Sequence, residues 1–129
     1  MKIKIYFLIA ITTLLAACSP QTADEHLAEA EQYISENKLN EAVIKLKNTL
    51  TLDAKNTTAR FYLGQIYLNS GLYLKAEKEL ERVFDSNYDV NILLPTYAQL
   101  LFKLQKYDEL LEIAEQYVDL NNNSKQIVN

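Results

Sequence analysis

A chain of 129 residues with 13 Lys and Arg against 17 Asp and Glu has a formal charge of −4. That length suits one domain, and nucleic-acid phosphates, which need clustered Lys and Arg, are poor partners for it. Only two glycines, two prolines, one cysteine and one histidine occur. These counts exclude turn-rich β folds, Rossmann and P-loop phosphate sites, a disulfide framework and Cys- or His-rich metal centres. The 49 % hydrophobic content argues against disorder and for a small, mostly helical protein.

In chain order, the first segment reads as an address. Met1 to Lys4 is a short basic start, and Ile5 to Ala17 is an uncharged apolar run. That run is well short of the ~20 residues a membrane-spanning helix needs, and its small residues near the end fit a secretory signal peptide. Leu15-Ala16-Ala17-Cys18 then resembles the lipobox of bacterial lipoproteins. That resemblance implies removal of residues 1–17, acylation of Cys18, and anchoring by several acyl chains, each buried CH₂ adding ~0.8 kcal/mol. An ordinary secreted protein with a free thiol, or an uncleaved anchor, is the rival reading. By the same resemblance Ser19 after the cysteine favours the outer membrane, facing the periplasm. Residues 18–23 form a short tether that keeps the folded part near the membrane.

Beyond the tether the spacing predicts six helices, over about 24–36, 40–52, 57–69, 74–85, 92–104 and 108–120. Thr22 with Glu25 has the capping-box pattern for the first. Leu39, Ala42, Val43, Leu46 and Leu50 form one helical stripe in the second. Leu74, Leu80, Val83 and Phe84 offer a face in the fourth, and Leu110, Leu111, Ala114 and Tyr117 one in the sixth. Asp53 to Thr58 and Asp85 to Asn91 are polar breaks, with Pro95 placed near the start of the fifth helix. Lys125 to Asn129 reads as a polar tail.

A shift of 34 residues lays the chain on itself. Ala30, Gly64 and Ala98 coincide, as do Tyr33, Tyr67 and Leu101, then Asn37, Gly71 and Gln105. Leu39, Tyr73 and Tyr107 follow, then Ala42, Ala76 and Leu110, and Leu46, Leu80 and Ala114. Small residues at the first register let two helices approach, and Asn37 and Gly71 tolerate the left-handed conformation that ends helices. These registers resemble tetratricopeptide repeats, three units at about 23–56, 57–90 and 91–124. The resemblance implies an all-α solenoid of helix-turn-helix units. Leu110, standing where a small residue is expected, predicts a splayed third pair. Ala42 to Asn48, Ala59 to Gly64, Ile66 to Leu68, Ala76 to Leu80 and Leu93 to Pro95, following a lipobox, further resemble the amino-terminal part of the tetratricopeptide lipoproteins of PEP-CTERM/exosortase systems.

Repeat arrays present a concave surface built from the first helix of each pair. Transferring the family's groove positions selects Leu27, Glu31, Ile34 and Ser35, then Phe61, Gln65, Leu68 and Asn69, then Pro95, Gln99, Phe102 and Lys103. An amide ladder of Gln65 and Gln99 could hydrogen-bond an extended peptide, with aromatic residues as anchors. Phe61, Leu68 and Phe102 answer equally well to inter-helix core. His26 stands alone and reads as a surface residue. Glu77, Glu79 and Glu81, alternating with Lys75, Lys78 and Arg82, read as a solvated helix face.

No catalytic constellation, cofactor site or metal site emerges, and neither does a small-molecule substrate. The expectation is a non-enzymatic, membrane-anchored scaffold for protein partners in the bacterial envelope. The narrower resemblance links it to exopolysaccharide production and PEP-CTERM protein sorting. An outer-membrane assembly or pilus-secretin pilot lipoprotein is the alternative. A truncated piece of a longer repeat protein and an envelope enzyme rank below both. No closing helix is expected after the third unit, so either its last pair exposes part of its apolar face, or a partner or another copy of the chain covers it, or the sequence is the front fragment of a longer repeat protein.

Overall fold

The computed structural model describes residues 20–86 and 88–127, with side chains described up to 118 except at 116. The expected leader, Cys18 and the lipobox lie outside the described residues. Among the described residues six helices follow one another: α1 Ala23–Ser35, α2 Leu39–Leu52, α3 Thr57–Asn69, α4 Tyr73–Phe84, α5 Val90–Lys103 and α6 Tyr107–Ile127. The fold is an all-α helical-repeat solenoid, each helix packing chiefly on the next, with α3 also touching α5.

The register at Asn37, Gly71 and Gln105 makes the turns. All three residues are left-handed, with φ of 58°, 73° and 59°. Each closes the preceding helix in the same way. The N–H of Lys38, Leu72 and Lys106 reaches back to the carbonyl of Tyr33, Tyr67 and Leu101 at 2.8, 2.8 and 2.9 Å. The left-handed residue itself donates to Ile34, Leu68 and Phe102. This is the Schellman arrangement, which satisfies carbonyls that would otherwise be orphaned. Because α2 and α4 are entered straight from such a turn, Lys38 and Leu72 provide no side-chain cap.

Helices α1, α3 and α5 begin differently. Thr22 and Glu25 form the expected capping box. Asn56 Oδ1 accepts from the Ala59 N–H at 2.9 Å, and Asp89 Oδ1 from Asn91 at 2.9 Å. The polar breaks are therefore N-caps as well as spacers. Pro95 lies inside α5 and not at its start, because Asp89 begins that helix earlier than expected. The carbonyl of Asn91 consequently lacks its usual donor. Helix α6 runs on to Ile127, past the expected end at 120, so residues 125–127 of the polar tail are helical. No glycine or proline follows Leu120 to stop it.

Two apolar clusters fill the array. The first joins Ala30, Ala42, Leu46, Ala59, Leu63 and Ile66, with Leu39, Val43 and Leu50 packed against it. The second is centred on Leu80, Val83, Leu93, Tyr97, Leu100 and Leu101. The face expected of α2 is buried or half-buried as read. In α4, Leu74 is 75 % exposed, and Tyr73 and Ala76 pack inward with Leu80 and Val83. A residue six before Leu80 falls on the far side of a 3.6-residue helix, whereas one seven before does not.

The third pair is splayed, as Leu110 predicts: α5 and α6 approach closely at far fewer places than α1 and α2 or α3 and α4. Leu110 occupies the place of the fully buried Ala42 and Ala76 and holds the backbones apart. Helix α6 is also turned relative to its counterparts. Ile113 is 9 % exposed and takes the inward position, while Leu111 is 62 % exposed and Ala114 is exposed too. The wedge this leaves is a cavity of about 150 Å³ lined by Phe84, Leu93, Ile113 and Tyr117. Tyr117 spans the pair by donating to Asn91 Oδ1 at 3.0 Å.

Candidate functional site

The groove positions divide by what lies over them. Phe61 and Leu68 are only 4 % and 5 % exposed. Phe61 packs its ring on Tyr88 at 5.2 Å, and both residues belong to the cluster shared with α5. They are core, because α5 of the next unit covers the α3 positions that the groove would need, and neither can offer its side chain to a partner. Gln65 is half-buried, its Nε2 donating to Thr96 Oγ1 at 3.4 Å. That amide is directed at its neighbour, so the ladder with Gln99 is not an open one. Leu27 and Ile34 are half-buried against the first cluster.

Asn69, Gln99, Phe102 and Lys103 remain accessible, together with Glu31, Ser35 and Pro95. Phe102, 34 residues on from the buried Leu68, is 58 % exposed and meets Tyr107 edge-on at 6.0 Å. The accessible surface is thus one aromatic anchor on α5 with an amide and an ammonium beside it. Such a set can take an extended polypeptide by side-chain hydrogen bonds and ring contact.

Charges once read as a solvated face do structural work between helices. Glu79 pairs with Arg60 of α3 at 2.7 Å, and Arg60 also donates to the Ala54 carbonyl at 2.6 Å. Glu77 pairs with Lys106 at 2.8 Å, and Lys106 with Glu109 at 2.9 Å. The Glu109 and Glu77 carboxylates hold the Lys106 ammonium above the ordinary lysine range. Lys45, in the same register as Glu79, pairs with Glu29 of α1. The carboxyl of Glu29 is lowered by its bonds to Lys45 and Gln21. Arg82, Lys78 and Glu81 are exposed as expected. Pairing across helices leaves no trace in the i, i+4 pattern of one helix, so spacing alone could not reveal it.

Burial pushes the phenols of Tyr62 and Tyr88 upward. It pushes Tyr97 to about 12, with the Glu81 and Glu109 charges adding to it. These tyrosines are packing residues: Tyr62 and Tyr88 meet the Phe61 ring at a tilt, and Tyr97 stacks on Phe84 at 5.2 Å. Among the described residues no three His, Cys, Asp or Glu converge as a metal site. His26 is half-buried in α1, with its Nδ1 lacking a hydrogen-bond partner. No described helix is long and apolar enough to cross a membrane.

The sequence reading expected an uncovered last face but not which residues of α6 form it. Its apolar residues fall on two faces, Leu110, Ile113 and Tyr117 inward, and Tyr107, Leu111, Ala114 and Val118 outward. Listing every apolar residue of that helix by angle, not by repeat register, is the signal that separates them.

Residues 33–93 match the family model of the tetratricopeptide repeat. The match runs from the end of α1 through α4 into α5, and it supports a tetratricopeptide-repeat protein. No curated protein and no solved structure matches the chain.

Proposed function

We propose that this helical-repeat chain is a non-enzymatic scaffold for protein–protein interaction, anchored through Cys18 in the outer membrane and facing the periplasm. Repeats of this kind serve as interaction surfaces. The observation that carries the reading here is the exposed set Gln99, Phe102 and Lys103 on α5. The lipobox Leu15 to Cys18 supports the anchor. The runs Ala42 to Asn48 and Ala59 to Gly64 support a place in exopolysaccharide and PEP-CTERM protein sorting.

Crosslinking and affinity capture from intact envelopes test it. Three forms are compared: wild type, Gln99→Ala/Phe102→Ala and Cys18→Ser. Both groove side chains are exposed, so the double variant keeps its circular dichroism. The expected result is an export or sorting protein captured by wild type, lost with the groove variant, and a Cys18→Ser form that leaves the membrane fraction. Capture unchanged by the groove variant overturns the α5 surface. A Cys18→Ser protein that stays in the membrane overturns the lipid anchor, and a secretin or β-barrel machine as the captured partner overturns the sorting assignment.

A further inference from the structure

The 34-residue register compares what lies over the second helix of each unit. In α2 the relevant positions are Val43 and Leu50, half-buried beside Ala59, Leu63 and Ile66 of the next helix. In α4 they are Glu77 and Phe84, and the third unit engages both. Lys106 pairs with Glu77 at 2.8 Å, and Tyr97 stacks on Phe84 at 5.2 Å. In α6 they are Leu111 and Val118, which are 62 % and 55 % exposed. With Tyr107 and Ala114 they form an i, i+4, i+7, i+11 stripe along one side of the helix. A shallow groove of about 410 Å³ lies over Leu111, Ala114, Glu115 and Val118.

The charges beside the stripe select its occupant. Asp108, Glu112 and Glu115 are exposed along one edge, and no Lys or Arg occurs from Tyr107 to Val118. A second copy docking the same stripe would bring these like charges together. A second copy docking its first helix fares no better. Where α3 uses Ala59, Leu63 and Ile66 against its predecessor, α1 has Glu25, Glu29 and Gln32, two of them acidic. Among the described residues, the outer side of α1 is therefore polar, and that of α6 is apolar with an acidic rim.

We propose that the outer face of α6 docks an amphipathic helix of a partner protein, one with an apolar stripe flanked by Lys or Arg. The helix would lie as α5 lies on α4, with apolar side chains over Leu111, Ala114 and Val118 and basic ones along Asp108, Glu112 and Glu115. Helix-in-groove recognition uses this i, i+4, i+7 spacing. The surface is separate from the α5 groove, so either can fail without the other.

The test uses the full chain and two labelled synthetic helical peptides in fluorescence anisotropy. Both carry Leu, Tyr and Leu at the spacing of Leu93, Tyr97 and Leu100; one is flanked by Lys and the other by Glu. The Lys-flanked peptide is expected to bind saturably, at least tenfold tighter than the other, and more weakly as salt rises. Leu111→Asp/Val118→Asp should abolish binding with the thermal midpoint unchanged, since both side chains are exposed. Glu112→Lys/Glu115→Lys, which keeps the stripe, should reverse the preference. Absence of binding, equal binding of the two peptides, or binding that survives Leu111→Asp/Val118→Asp overturns the proposal. So does a dimer in sedimentation that the same variant converts to monomer, because the occupant is then a second copy.

Discussion

Leu80 lies so close to the backbone of Gly64 that a Cβ built there would come within 2.5 Å of its Cγ and Cδ2. Leu80 is fully buried, enclosed by Ala76, Val83 and Leu100 in the same cluster, and cannot swing aside. Gly64→Ala is therefore a contest. Helix propensity favours alanine by about 1 kcal/mol, while overpacking a filled core costs about 1–3 kcal/mol. We expect a net loss of up to about 2 kcal/mol in urea unfolding. A stabilised variant would show that α3 and α4 can move apart at little cost.

The three left-handed turns differ in what their residues lose by being there. Gly71 pays no steric penalty, and a Cβ on it would meet nothing within 4 Å. Gly71→Ala should then cost about 1 kcal/mol from backbone conformation alone. Gln105, at φ 59°, carries that strain already. Gln105→Gly should raise stability by about 1 kcal/mol, seen as a higher urea midpoint at unchanged slope. Equal midpoints for wild type and Gln105→Gly would mean that the third turn relaxes when its side chain is removed.

Tyr97 gives the fold an alkaline limit. Its phenol is pushed to about 12 by burial, above the ordinary tyrosine value of about 10. A pKa raised on folding means that the unfolded chain releases the proton first. The associated stability is whole below about pH 10 and declines as pH rises toward 12. Thermal midpoints should therefore fall across that window, and less steeply in Tyr97→Phe. Ultraviolet titration should find the last-ionising phenol of wild type absent in the variant, while the raised phenols of Tyr62 and Tyr88 remain. Parallel pH profiles for the two proteins would remove Tyr97 as the cause.

Much of this was legible because it is local. The helix count, the capping box at Thr22 and the turns at Asn37 and Gly71 follow from residue type and short spacing. Gln105 was legible only through the repeat, since glutamine has no special tolerance for φ above zero. The groove was half legible. Repeat register marks Ile34, Leu68 and Phe102 as equivalent, but Leu68 is buried where α5 packs over it and Phe102 is exposed.

By itself the sequence determined an all-α array with a 34-residue period, its turn positions, and a small-residue contact at Gly64. Those depend on backbone preference and on contacts repeated in each unit. The tertiary structure decided the rest. It paired Glu79 with Arg60 and Glu77 with Lys106, and it turned α6 so that Ile113 entered the core and Leu111 left it. The reason is steric: Leu110 fills the space left to alanine in the first two units, and a helix held off its partner settles on whichever face packs best.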